Sequence, residues 1–258
     1  MTTLHWIEPT KRERLAPLFA NHKPSVLTSA VLEGHLGAAL ADDETAPHVA
    51  RLAYADVVIF GGDVQHPMAR ELVETVPMEK GILPSPDGWY DLLQAVHGER
   101  IIAVERYAFS AEALDRRHLQ ALRNDVPSGY ELRRIDLDLA QQIANNPDLI
   151  SPDHVCNFES PEDFVKRGIG FCILYDGRIV SGASSYAICN RGIEVQVNTH
   201  ADHQKRGLAT TVSAALLAYC LEHKLEVNWD AANMTSARLA ERLGYTPRGA
   251  YEMLVRIG

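Results

Sequence analysis

Ile169-Gly-Phe-Cys-Ile-Leu-Tyr175-Asp176-Gly177-Arg-Ile-Val180-Ser-Gly-Ala-Ser-Ser-Tyr-Ala-Ile-Cys189-Asn190-Arg-Gly192-Ile193-Glu-Val-Gln-Val-Asn-Thr199 reads as three strands joined by two tight turns. Asp176-Gly177 is a hairpin signal, because both residues tolerate the positive φ that a two-residue loop demands. Asn190-Arg-Gly192 makes the second turn, and Ile193 to Thr199 alternates apolar with polar. Consecutive hairpins imply an antiparallel sheet and exclude a doubly wound parallel one.

Outward from this stretch the pattern continues on both sides. Upstream, Tyr130 to Ile135 is strand-like, and Ser160 followed by Pro161 opens a helix to Arg167. Downstream, Leu208, Val212, Ala215, Leu216, Tyr219 and Cys220 recur at helical spacing, which predicts an amphipathic helix over Arg206 to Cys220 with one buried face. A short strand (Glu226 to Asp230), a helix (about Thr235 to Leu243) and a strand (Tyr251 to Ile257) follow. In the first half, Asp56 to Phe60 is a β-branched run closed by Gly61-Gly62-Asp63, and Met68 to Val76 has helical spacing closed by Pro77. Trp89 to Val96 and Leu114 to Leu122 are helical in pattern, and Arg100 to Tyr107 is strand-like.

A chain of 258 residues has room for one large domain or two small ones. The turn-dense Asn124-Asp-Val-Pro127-Ser-Gly129 places a boundary between residues 1–126 and 127–258. The expected class is α/β of the α+β kind. A smaller α/β N-terminal domain precedes a mixed, mostly antiparallel C-terminal sheet flanked by helices.

Lys plus Arg number 25 against 34 Asp plus Glu, a net charge of −9, which argues against a nucleic-acid partner. No apolar run approaches the roughly 18 residues of a membrane span. The stretch beginning Met1-Thr-Thr has no apolar signal region, so the expected location is the cytoplasm. Cys156, Cys172, Cys189 and Cys220 lie far apart without a C-x-x-C pair, as small buried hydrophobes in a reducing compartment do.

The chemically informative stretch is Gln204-Lys205-Arg206-Gly207-Leu208-Ala209, where a strand ends and a helix begins. A helix N-terminus offers unpaired N–H groups and a positive dipole end, the means to hold an anion. Gly207 and Ala209 admit a phosphate close to the backbone, and Lys205 and Arg206 add charge. The alternative is a strand–turn–helix with a glycine for geometry alone. Asn233-Met-Thr-Ser236 opens a second helix, which ends at Gly244-Tyr245. On the strand before the loop, Glu194, Gln196 and Asn198 share one face and Ile193, Val195 and Val197 the other. That polar face lines a cleft or is simply solvated. His200, Asp202 and His203 cluster nearby at a spacing that does not place three ligands around a metal, and no metal is expected. Trp229 fills core or walls a cleft, with core favoured. Ser184 and Ser185 have no partner pattern for a hydrolase.

Gln204-x-x-Gly207-x-Ala209, with Asn233-x-x-Ser236 and Gly244-Tyr245, is similar to the cofactor motifs of the GNAT superfamily of acyl-CoA N-acyltransferases. The chain resembles most the two-part branch that includes zwittermicin A resistance-type acetyltransferases. The whole length takes part, from Val31-Leu-Glu33-Gly34 and Phe60-Gly-Gly62-Asp63 to Ile193-Glu194-Val195 and Trp229-Asp230. This resemblance implies a sheet splayed open between the strands at 193–199 and 226–230, with acetyl-CoA in the gap. The loop Gln204, Lys205, Arg206, Gly207, Leu208 and Ala209 would bind the cofactor, with the pyrophosphate on the backbone N–H groups around Arg206 to Ala209. Backbone at Val197, Asn198 and Thr199 would hold the thioester carbonyl; Asn233, on a coenzyme A-contacting helix with Ser236, would contact the pantetheine arm or the cysteamine end. Glu194 is the implied general base toward a primary amine of a small-molecule acceptor. The N-terminal half would set acceptor specificity. Relatives carry a tyrosine seven residues after the motif asparagine as general acid; here that position is Ala240, which leaves Tyr245 or Tyr251 as the acid, or none. That departure keeps open a non-catalytic acyl-CoA-binding or regulatory protein beside the enzyme. Monomer and homodimer are both open.

Overall fold

A computed structural model, which describes residues 3–23, 25–86 and 88–257, divides the chain inside two strands and not at a loop. The chain up to Arg106 and from Ala250 onward forms one unit, and Tyr107–Gly249 forms the other. The turn-rich stretch at 124–129 lies inside the second unit.

In the first unit, β1 (His5–Trp6), β2 (Ala38–Ala41), β3 (Val49–Tyr54) and β4 (Val57–Gly62) pair antiparallel in chain order. Helix α1 (Val26–Leu32) precedes β2, its N-terminus capped by Ser25, whose side chain accepts from the Leu27 N–H. Helix α2 (Pro67–Glu74) follows β4, and β5 (Gly81–Ile82) then pairs with β4 in parallel. Helix α3 (Trp89–His97) stacks Trp89 on Phe60 at 5.0 Å and leads into β6 (Ile101–Ser110). The sequence pattern did not assign β2 and β3, since both are buried along nearly their whole length and lack alternation. Buried Arg51 on β3 donates to Leu72 O (2.9 Å) and Thr75 Oγ1 (3.0 Å), which caps the end of α2. Burial lowers its guanidinium to about 10.

The β2–β3 loop is closed by Asp42, whose Oδ1 accepts from the N–H groups of His48 (2.8 Å) and Val49 (3.0 Å). Its Oδ2 faces His48 Nδ1 at 3.0 Å and His66 Nε2 at 3.7 Å. These three ligand-type atoms lie within 4.8 Å of one another. His66 Nδ1, however, accepts from the Met68 N–H, so the ring proton sits on Nε2, toward Asp42. That arrangement suits a hydrogen-bonded brace.

The second unit contains α4 (Arg116–Asn124), β7 (Tyr130–Arg134), α5 (Leu137–Asn145), α6 (Pro161–Arg167), β8 (Gly170–Tyr175), β9 (Arg178–Ile188), β10 (Gly192–Thr199) and α7 (Leu208–Glu222). After α7 come β11 (Glu226–Asn228), β12 (Asp230–Ala231), α8 (Met234–Leu243) and β13 (Thr246–Arg256), which returns the chain to the first unit. The sheet order is β11-β10-β9-β8-β7, antiparallel except for the parallel β10–β11 pair. Asp176 and Gly177 adopt φ of +47° and +74°, the turn that their residue types favour.

Helix α7 differs from the amphipathic reading. Val212, Ala215 and Leu216 are buried as expected, but so are Thr210, Thr211, Ser213 and Ala214. Helix α4 packs against α7, and Thr211 Oγ1 donates to Asp125 O at 3.2 Å. A short hydroxyl that satisfies itself on a neighbour's carbonyl can be buried, although in the sequence it looks like a solvent face.

Candidate active site

Strands β10 and β11 run together for three residues and then part. Gly192 pairs with Glu226, Ile193 with Val227 and Glu194 with Asn228. Beyond them the β9–β10 register shifts between Glu194 and Val195, while Asp230 and Ala231 pair with Ala108 and Tyr107 on β6. The single strand expected at 226–230 is thus two strands hinged at Trp229, which is 3% exposed and packs in the core. Residues 195–199 of β10 keep β9 on one edge and have no strand partner on the other among the described residues.

The chain leaves that open strand through a one-turn helix (Ala201–His203) and reaches Gln204, whose Nε2 donates to Thr199 O at 3.3 Å. Lys205 (φ +61°) and Gly207 (φ +82°) both take left-handed backbone and turn the chain into α7. Gly207 is the N-cap and supplies no side-chain acceptor. Thr211 is the first residue whose N–H finds an intrahelical acceptor, Gly207 O, so the amides of Leu208, Ala209 and Thr210 point off the helix end. A Cβ added at Gly207 would meet no protein atom within 4 Å. Arg206 is tethered beside this end: its Nη1 donates to Tyr130 Oη (3.1 Å) and its Nη2 to Asp202 O (3.2 Å). Tyr130 Oη lies 3.0 Å from His203 Nδ1.

On β10 the two faces are as the alternation predicts. Ile193 is buried in the core under α7, with Val195 and Val197 packed against it. Glu194, on the opposite face, is 7% exposed, and its Oε2 accepts from Asn228 Nδ2 at 2.6 Å. The carboxylate therefore sits where the two strands part, shielded from bulk water. Gln196 and Asn198 continue this face toward the open end.

The chain matches the GNAT acetyltransferase family over residues 16–254. It belongs to that family. A GCN5-related N-acetyltransferase-like protein from Streptococcus suis 89/1591 is 32% identical, with a TM-score of 0.82 over 96% of this chain and 99% of that one. The uncharacterized N-acetyltransferase YdfB of Bacillus subtilis is 25% identical over 257 residues, 95% of each chain. A tandem GNAT protein from the clavulanic acid biosynthesis pathway shares the fold, at 15% identity and a TM-score of 0.60, over 98% of this chain and 97% of that one. The protein is an acetyltransferase, and its mixed sheets flanked by helices are those of its GNAT neighbours.

Other residues singled out in this GNAT acetyltransferase have structural partners. Asn233 Oδ1 caps α8 by accepting from the Ser236 N–H (3.0 Å), and Ser236 Oγ accepts from Trp229 Nε1 (3.2 Å). The Asn-x-x-Ser spacing thus accounts for the start of the helix and for the seat of the hinge tryptophan. Tyr245 is 3% exposed, with its hydroxyl donating to Val227 O at 3.4 Å. Burial, with the nearby Glu194 charge, holds its phenol well above the ordinary value. Ala240 is fully buried in α8. Tyr251 lies on the part of β13 that belongs to the first unit.

One group was missed by sequence reasoning. His154 ends a one-turn helix (Pro152–His154) and is fully buried against β9 and β10. Its ring joins Ser184 Oγ (2.8 Å) and Asn198 Oδ1 (2.8 Å), and burial lowers it to about 4. The only local signal was Ser151-Pro152, a capped turn, which says nothing of a partner 44 residues away.

Proposed function

We propose that this acetyltransferase moves an acetyl group from acetyl-CoA to the primary amine of a small molecule by direct transfer. The observation that carries the reading is the uncapped start of α7, with three amides unpaired inside the helix and empty space at Gly207, beside the open edge of β10. An anion completes such a helix end, and the open edge offers backbone to an extended chain.

Acetyl-CoA, when bound, supplies the thioester and a thiolate leaving group. Gln204, Lys205 and Arg206 with the amides of Gly207, Leu208 and Ala209 hold its pyrophosphate. The backbone of Val197, Asn198 and Thr199 lies along the acyl end, where one N–H stabilises developing negative charge on the carbonyl oxygen. Asn233 and Ser236 border the pantetheine arm while capping their own helix. Glu194 takes a proton from the acceptor ammonium, and the neutral amine forms the C–N bond as the C–S bond breaks. Tyr245 is given the role of steadying β11 through Val227. A thiol with an ordinary pKa near 8.5 leaves without a dedicated acid.

Direct transfer is favoured over a cysteine-linked acyl-enzyme. Cys172 and Cys220 are buried, and burial pushes their thiols up to about 12. The exposed Cys156 is also raised, by desolvation and by Asp153, so it offers no ready thiolate. Isothermal titration with acetyl-CoA, followed by thiol-release assays on primary amines, tests the reading. Micromolar binding with amine-dependent thiol release is the expected result. Absence of binding in folded protein would overturn it.

A further inference from the structure

The loop that leads into α7 is fastened at both ends. At its start, Gln204 Nε2 donates to Thr199 O at 3.3 Å. At its end, the two Nη atoms of Arg206 donate to Tyr130 Oη (3.1 Å) and Asp202 O (3.2 Å). Between these bonds Lys205 holds a φ of +61°, a conformation that an L side chain resists and that persists only where its surroundings impose it. Thr199 and Asp202 are close neighbours of the loop in the chain. Tyr130 is not: it opens β7, the edge strand that β8 and β9 separate from β10.

The Tyr130 ring is set between those of Tyr175 and His203, with centroids 5.0 and 5.8 Å away. Its hydroxyl also lies 3.0 Å from His203 Nδ1. That bond can run either way, since a phenol both donates and accepts; the Arg206 bond cannot, since a guanidinium only donates. The phenol oxygen therefore accepts from Arg206 whichever tautomer His203 takes. The tether uses an N–H of each Nη, and the guanidinium keeps others for an anion. An exposed arginine that a ligand must order loses rotamer freedom on binding, whereas one ordered beforehand does not. Lys205, the other cation of the loop, has no side-chain partner among the described residues.

We propose that Tyr130 is a positioning residue for acetyl-CoA binding, which fixes Arg206, and with it the left-handed turn of the loop, before the pyrophosphate arrives. This rests on the reading that Arg206 helps to hold the pyrophosphate. Tyr130→Phe removes only the hydroxyl and keeps the ring between its neighbours. Isothermal titration with acetyl-CoA should find the dissociation constant of that variant raised about fivefold, the scale of one hydrogen bond, in protein that still melts cooperatively. Arg206→Ala should weaken binding roughly ten- to a hundredfold, as loss of a charged donor does. In the Arg206→Ala background, Tyr130→Phe should change affinity by less than about twofold, because the group it positions is gone. A tyrosine that merely supported the fold would cost the same in both backgrounds, and that result overturns the proposal. So does unchanged or tighter binding in Tyr130→Phe, the latter marking a tether that holds Arg206 away from the cofactor.

Arg206→Lys keeps the charge but has no planar fork to bridge two oxygens. It should lose most of the affinity that Arg206→Ala loses; wild-type affinity in Arg206→Lys overturns the proposal, and this arm decides even if Tyr130→Phe does not fold. Should Arg206→Ala bind acetyl-CoA like the wild type, Tyr130 loses its role and the loop still stands on its amides. Absence of binding by the folded wild type instead overturns the function proposed above.

Discussion

Helices α7 and α8 face the same problem at their N-termini and solve it differently. Each begins with amides that have no intrahelical acceptor. Helix α8 answers from within: Asn233 is extended (φ −164°), and its side chain accepts from the Ser236 N–H. Helix α7 begins at Gly207 with no side chain to offer, next to two cationic residues and open space. Both segments were singled out in the sequence by their resemblance to family motifs, yet only α7 starts without a side-chain acceptor for its amides.

The sharpest way to break this comparison is Gly207→Val. The added side chain meets no protein atom at its Cβ but enters the space over the unpaired amides, in backbone that a branched residue resists. Calorimetry should detect no acetyl-CoA binding while a thermal melt still shows a cooperative fold; retained affinity would remove α7 from the site. Glu194→Gln tests the chemistry beside that helix. It should keep acetyl-CoA affinity and lower amine turnover by roughly 10²- to 10⁴-fold, the usual worth of a general base. Turnover at the wild-type rate across the pH range would acquit Glu194.

Smaller effects sharpen the contrast between a site and its scaffold. Burial holds the His154 ring near 4, whereas in the unfolded chain it titrates near 6.5. Between those values the unfolded state binds more protons, so stability falls as pH drops from 6.5 to 4, by about 3 kcal/mol in total. Urea midpoints at pH 7, 5.5 and 4.5 should show that loss in the wild type and a shallower one in His154→Gln. Parallel slopes would mean that the imidazole is not held neutral. Asn233→Ala should cost about 1 kcal/mol, as a lost N-cap does. Its affinity for acetyl-CoA should stay within a fewfold of the wild type, because the capping oxygen already serves the helix. A tenfold loss in affinity would show that the Asn233 amide reaches the cofactor as well, and the two helix starts would then differ less than they look.

Much of this molecule is legible from local pattern. Asp176-Gly177 specifies its turn, Ser160-Pro161 its helix start, and Gly207 its left-handed cap, because each is a backbone preference expressed within a few residues. The faces of β10 follow in the same way from the two-residue strand period. What escaped were relations between distant segments. The expected strand at 226–230 breaks at Trp229 because β10 and β6 compete for its two halves, and no alternation encodes that division. Thr210, Thr211 and Ser213 fall outside the apolar spacing of α7, yet all three are buried.

The sequence by itself therefore determined the mostly antiparallel character of the second unit, the loop-to-helix turn at Gln204 to Ala209, and the family to which the chain belongs. Tertiary structure alone decided that Glu194 is shielded against Asn228, that Tyr245 spends its hydroxyl on Val227, and that His154 is joined to Asn198. The division has a physical cause. Backbone torsions and side-chain periodicity are properties of neighbours in the chain, whereas burial and hydrogen-bond partnership depend on segments that meet only once the sheet has formed.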